Sequence, residues 1–268
     1  MPDSIRSLGP AAVAAGLFAF IAIPAAAQSP LASPPSTAQF MPRYDVQLSA
    51  ARLAVDDDRF TWDTHFGVDF DLVDYVHGRM IFIADYQAVL GSEFRPFDPN
   101  QGNYTLGAGG SIRLGGTEFV GVLHHVSRHL GDRPKRQAIA WNELDLRVLR
   151  QFSAKGSTID LRADGGKVVA RASVDYLWTG SLDVTIRRDV RPGIGVFGHG
   201  MGRMVGVNSS FDRDRQRGGR VEGGVRFSGR GGAVELRVGV ERVIDADPFD
   251  RLPLQWLYAG FRLVTYPK

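Results

Sequence analysis

Among its 268 residues the sequence has no cysteine. That excludes a disulfide framework, a thiolate metal site and a cysteine nucleophile. Charge of one sign is also lacking: 32 basic residues stand against 29 acidic ones, a formal +3 dispersed along the chain, so no nucleic-acid partner is expected. With 44% hydrophobic and 23% charged residues, the chain has no room for a bundle of membrane helices, each of which needs roughly 20 nearly uninterrupted apolar residues. Glycine is in excess instead, 32 residues with no G-X-Y period, and that excess needs a structural cause.

Residues 1–27 read as a signal peptide: Arg6 in a polar start, an apolar run from Ala11 to Ile23, then Pro24 and Ala25-Ala26-Ala27, the small-residue pattern expected before a cleavage point. The run is too short to span about 30 Å of hydrocarbon. Residues 28–42, QSPLASPPSTAQFMP, are expected to be a loose lead, since Pro, Ser and Ala cannot build a core.

From residue 43 to 268 the pattern has period two. Trp62, Thr64, Phe66, Val68, Phe70 and Leu72 share one parity, while Asp63, His65, Gly67, Asp69 and Asp71 share the other. Val234, Leu236, Val238 and Val240 alternate with Glu235, Arg237, Gly239 and Glu241 in the same way. Strands separate such sets onto two faces; helices mix them. A soluble sandwich would put one face of each strand into an apolar core, whereas here one face is apolar and the other charged throughout. In an exported chain this predicts an all-β fold, a transmembrane antiparallel β-barrel in the outer membrane with apolar side chains toward lipid and polar ones toward the lumen. Gly67, Gly107, Gly109, Gly224 and Gly239 fall on the lumen parity, where small residues relieve crowding.

Twelve strand segments can be marked, with ten to fourteen allowed because Asp164-Gly165-Gly166, inside a segment at 157–178, would permit an extra hairpin. Connections alternate long and short, with a tight turn at Thr179-Gly180. The last segment, with Tyr258, Phe261 and Tyr266, resembles the aromatic C-terminal strand that bacterial barrel-assembly machinery recognises, so that machinery and periplasmic chaperones are expected partners in biogenesis. Trp62, Trp141, Trp178 and Trp256 are candidates for interface girdles.

Of six histidines, three fall at 124, 125 and 129, in VLHHVSRHLGD. A hairpin symmetric about residues 133–134 sets His125 opposite Asn142 and Ser127 opposite Ala140, with Glu143 next along. A serine, a histidine and an orienting amide or carboxylate form the arrangement that nucleophilic acyl transfer needs. Three histidines without a matching carboxylate spacing are not a metal signature, and neither a metal nor another cofactor is expected.

His125-x-Ser127 with downstream Asn142 resembles the motif of outer-membrane phospholipase A. With Glu143 instead, it resembles that of the lipid A 3-O-deacylases. Either resemblance implies Ser127 as nucleophile, His125 as base and Asn142 or Glu143 as orienting group, although Arg128 stands where both families carry Asn. Residues 125–132, H-V-S-R-H-L-G-D, also resemble the H-x-S-x-H-L-G-D signature of an uncharacterised family of Gram-negative outer-membrane barrels, which implies a fold and no activity.

Parity within 117–129 puts Val120, Val122 and Val126 with His124, leaving His125, Ser127 and His129 on the more lumen-like face. There Glu143 is the natural partner of His125, and the expectation is a polar His/Ser/Glu lumen network in a structural or narrow-channel protein. The alternative is an outer-leaflet lipid acyl hydrolase. His129, Arg128, Asp132, Arg133, Lys135 and Arg136, and separately Arg213, Arg215, Arg217 and Arg220, are expected at outer loops facing membrane lipids and lipopolysaccharide phosphates.

Overall fold

The structure is a computed structural model that describes residues 34–131, 137–209 and 213–265. The signal-peptide segment, residues 132–136 with Asp132, Arg133, Lys135 and Arg136, and the terminal Tyr266 lie outside the described residues. Twelve antiparallel strands follow in chain order: β1 (Gln39–Ala54), β2 (Trp62–Asp74), β3 (Arg79–Gly91), β4 (Asp98–Leu114), β5 (Thr117–Leu130), β6 (Ile139–Ala154), β7 (Ser157–Ala172), β8 (Tyr176–Arg191), β9 (Ile194–Val207), β10 (Gln216–Ser228), β11 (Gly232–Asp247) and β12 (Leu252–Thr265). Each pairs with its sequence neighbours, and β1 pairs with β12 from Gln47↔Val264 to Ala54↔Leu257, so the sheet closes into a barrel. Closure leaves no edge strand exposed. Among the described residues no helix is long and apolar enough to cross a membrane.

Connections at one end are tight, as at Gly115-Gly116, where φ of +54° and +77° suits glycine. Longer connections gather at the other end. One expected boundary is corrected: the segment marked 157–178 is two strands joined at residues 173–175, and Thr179-Gly180 lies inside β8. The turn is placed there by Asp175, which is buried and takes the guanidinium of Arg213 at 3.0 Å. Thr179, no turn residue, directs its hydroxyl inward to Glu143. Likewise GSEFRPFDPNQG at 91–102 reads as a long connection, yet β4 begins inside it at Asp98, because Asp98 and Asn100 are buried among strand partners.

The wall sorts as the alternation requires. Leu144, Leu146, Val234, Leu236, Val238 and Leu257 are exposed on the outer face. The inner face holds ion pairs stacked along the barrel. Near the tight turns Arg79 bridges Asp71 and Glu118, each at 2.8 Å. At mid-height Glu222, fully buried, receives Arg237 at 2.8 Å, Arg262 at 3.0 Å and the Tyr258 hydroxyl at 2.6 Å. Arg220 pairs with Glu241 at 2.8 Å. Buried charges of this kind are tolerable only because each is matched. Glycine makes room: a Cβ at Gly67 would sit 2.7 Å from Gln47 and 2.8 Å from Asp85, and one at Gly239 would sit 2.6 Å from the Tyr258 hydroxyl.

The long-loop mouth is roofed by the bent end of β11. Register is lost between Val243 and Asp247, and Ile244, Asp245 and Ala246 turn inward and are buried. Asp245 holds Tyr176 at 2.7 Å and Arg213 at 2.6 Å, while Arg128 donates to the carbonyl of Asp245 at 2.7 Å. Below this roof, lined by Gln87, Asn103, Arg128, Arg203 and Arg220 among others, is a cavity of about 90 Å³, room for several waters.

Candidate functional site

β5 and β6 pair in the register of a symmetric hairpin, with His125↔Asn142 and Ser127↔Ala140. Directly paired residues share a face, so the exposure of Leu123 and Leu144 in the neighbouring row fixes which face this is. His125, Ser127 and His129 point out of the barrel. This corrects the expected lumen placement. The inward residues of β5 are Glu118, Val120, Val122, His124, Val126 and Arg128; Val120 and Val122 pack into an internal cluster with Ile81, Ile83 and Leu149, and Val126 packs against the Trp141–Tyr176 cluster.

The partner of His125 changes accordingly. His125 Nδ1 lies 2.7 Å from Asn142 Oδ1 on the outer wall. With Nδ1–H donating to that oxygen, Nε2 carries the free lone pair. Ser127 is two residues farther along the same face, roughly 6.7 Å at the rise of a strand. Its Oγ is 2.9 Å from His129 Nε2. The His129 ring meets Tyr104 edge-on at 5.4 Å, and Tyr104 in turn lies against Tyr86 at 4.8 Å. Serine is thus flanked by two imidazoles, one oriented by an amide and the other backed by tyrosine.

Glu143, the other expected orienting group, points inward and is fully buried. It pairs with His124 at 3.3 Å, and His124 also reaches Asp145 at 3.2 Å. The lumen network therefore contains His124, Glu143, Asp145 and Thr179, and does not include Ser127. His124, Glu143 and Asp145 bring one potential ligand atom each within 4.8 Å of one another, but Thr179 and Arg147 already engage the two carboxylates. Ion pairing accounts for the group.

The expected loop cations separate in the same way. Arg128 points into the barrel and binds Gln101 at 2.9 Å as well as the roof carbonyls. Arg213 and Arg220 serve the roof and the lumen. Arg215 and Arg217 stay at the exterior. Of the tryptophans, Trp62 and Trp178 are outward, whereas Trp141 and Trp256 are buried inside, Trp141 against Tyr176 and Trp256 against Phe60.

Away from the strand ends the outer wall is aliphatic, aromatic or glycine, with few polar exceptions among the described residues. One is Thr64, whose hydroxyl is tied to the Ala88 carbonyl at 2.9 Å. Arg52 and Arg150 also face out, as do Arg242 and its partner Gln255, and a further group clusters on three adjacent strands: His125 and Ser127 on β5, Asn142 on β6 and Lys167 on β7. The patch lies toward the long-loop end. Lys167 escaped sequence reading because the segment boundary there was misplaced; its pairing with Leu144 was the available signal.

No protein-family model matches the sequence, and no curated protein matches it. Solved structures similar in fold include the outer membrane phospholipase A from Escherichia coli, 10% identical with a TM-score of 0.48, covering 82% of this chain and 92% of that one. LpxR from Salmonella typhimurium is 10% identical with a TM-score of 0.48, covering 83% and 99%. The KdgM porin is 6% identical with a TM-score of 0.45, covering 82% and 98%.

Proposed function

We propose that the protein is an outer-membrane acyl hydrolase acting on lipid esters from the outside of its barrel wall, with Ser127 as nucleophile, His125 as base and Asn142 as the orienting group. The observation that carries this reading is the 2.7 Å contact of His125 Nδ1 with Asn142 Oδ1 on the outer face, with Ser127 on the same face. An imidazole and an amide exposed on an apolar wall have no packing role that leucine would not fill better. The wall itself, closed and apolar outside with ion pairs inside, supports the bilayer setting. The patch at the long-loop end then lies at the ester level of the outer leaflet.

Asn142 fixes the tautomer and leaves Nε2 of His125 with the lone pair that accepts the Ser127 proton. When the Ser127 hydroxyl turns from His129 to His125, its oxygen attacks the ester carbonyl carbon and its proton passes to Nε2. The tetrahedral intermediate collapses with cleavage of the acyl–oxygen bond, and the leaving alkoxide takes that proton. Water then attacks the acyl-serine with His125 again as base, releasing the fatty acid and restoring the serine.

The test is fatty acid release from mixed phospholipid vesicles by the refolded protein and by Ser127→Ala. Release by the parent, reduced to background in the variant, supports the assignment. Equal background rates for both overturn it.

A further inference from the structure

Lys167 is the remaining member of the outward polar patch, and the chemistry above does not use it. We infer that Lys167, with Trp178 and Arg215, forms a phosphate subsite that selects anionic lipids for the hydrolytic site. This rests on the membrane reading of the wall and adds the class of lipid that the site takes.

The orientation of Lys167 follows from its neighbours. It pairs with Leu144 on β6 and Trp178 on β8, both outward, while Gly166 beside it is covered by the inward carboxylates of Glu143 and Asp145. The ammonium makes no hydrogen bond or ion pair with any described residue, although most cations of the barrel interior are matched. A charge left unpaired on a lipid-facing wall is costly, and its long stem lets it rise toward the headgroup layer. Its height suits that: Lys167 is five residues short of the outer end of β7, as His125 is five short of the outer end of β5. Two strand spacings, roughly 10 Å, separate their strands laterally, a span within one lipid headgroup and its acyl linkages.

Trp178 and Arg215 complete the subsite. The indole is pressed flat against the wall, because a Cβ at Gly206 would collide with its ring. Arg215 stacks over it with its guanidinium carbon 5.5 Å from the ring centre, and makes no ion pair with a described residue. Two cations without a counter-ion among the described residues thus flank one tryptophan on the same outer wall as the serine that needs an ester delivered to it. A lipid phosphate satisfies both charges at once.

Binding is tested without turnover in the Ser127→Ala background. The protein is placed in phosphatidylcholine vesicles doped with brominated phosphatidylglycerol or brominated diacylglycerol, and quenching of tryptophan fluorescence is titrated. Expected is preferential quenching by phosphatidylglycerol, with apparent affinity falling about fivefold in Lys167→Met and largely retained in Lys167→Arg. Competition by unlabelled lipid A distinguishes a phosphorylated glucosamine lipid from a glycerophospholipid as the preferred source of the phosphate. Equal quenching by phosphatidylglycerol and diacylglycerol, or no change in Lys167→Met, overturns the subsite. Because the readout needs no catalysis, it stands or falls apart from the hydrolase assignment.

Discussion

His125 and Asn142 meet across β5 and β6 at 2.7 Å on the outside of the barrel. An amide there has one chemical use, to hold Nδ1–H and free Nε2. Asn142→Ala is expected to lower kcat by two to three orders of magnitude, about the loss seen when an orienting or stabilising partner is removed, with little change in KM. Steady-state hydrolysis in detergent micelles measures this, and an unchanged kcat would remove Asn142 from the site.

Ser127 lies between two imidazoles, and only one is oriented by an amide. His125→Ala should abolish acyl release, whereas His129→Ala should retain most of it, because the His129 contact is a resting position of the hydroxyl. The reverse pattern, measured with the same substrate, would assign the base to His129.

The barrel interior carries a separate expectation. Glu222 receives Arg237, Arg262 and Tyr258 and is fully buried, so Glu222→Ala takes from Arg237 its ion-pair partner and leaves Arg262 with Glu235 alone. Loss of one partner in such a cluster costs about 3–5 kcal/mol. Urea unfolding in lipid vesicles should show that drop, while an unshifted midpoint would mean that the cluster contributes nothing net.

Ion pairs at mid-height and the inward end of β11 together block the lumen above and below its small internal cavity. In planar bilayers the protein should therefore be silent. Stable conductance steps would show that the roof formed around Asp245 opens, and would favour the narrow-channel reading over a blocked scaffold.

Much of this architecture was readable from residue parity. Strands such as β2 and β11 alternate cleanly because their outward residues meet only apolar surroundings and their inward ones only charge. β5 does not, since Val120 and Val122 pack inward with Ile81, Ile83 and Leu149 while Leu123 faces out, so both faces carry apolar side chains and parity within the strand is undecided. β6 was unambiguous, with Glu143, Asp145 and Arg147 inside. Combining its parity with the hairpin register puts His125 on the face of Asn142, outside, which decides the matter without coordinates. The inward bend of β11 had no comparable signal: IDADPFDR at 244–251 reads as a long connection, whereas β11 runs on to Asp247, and only the three-dimensional closeness of Arg128, Tyr176 and Arg213 shows why Asp245 turns inward.

The central claim is that Ser127 is a nucleophile exposed to lipid. Incubation with a long-chain alkyl sulfonyl fluoride, followed by peptide mass spectrometry, tests it directly, since an activated hydroxyl displaces fluoride and keeps the sulfonyl group. Expected is a single stoichiometric adduct on Ser127, absent from His125→Ala. An unlabelled Ser127, or labelling that persists without His125, would contradict the assignment.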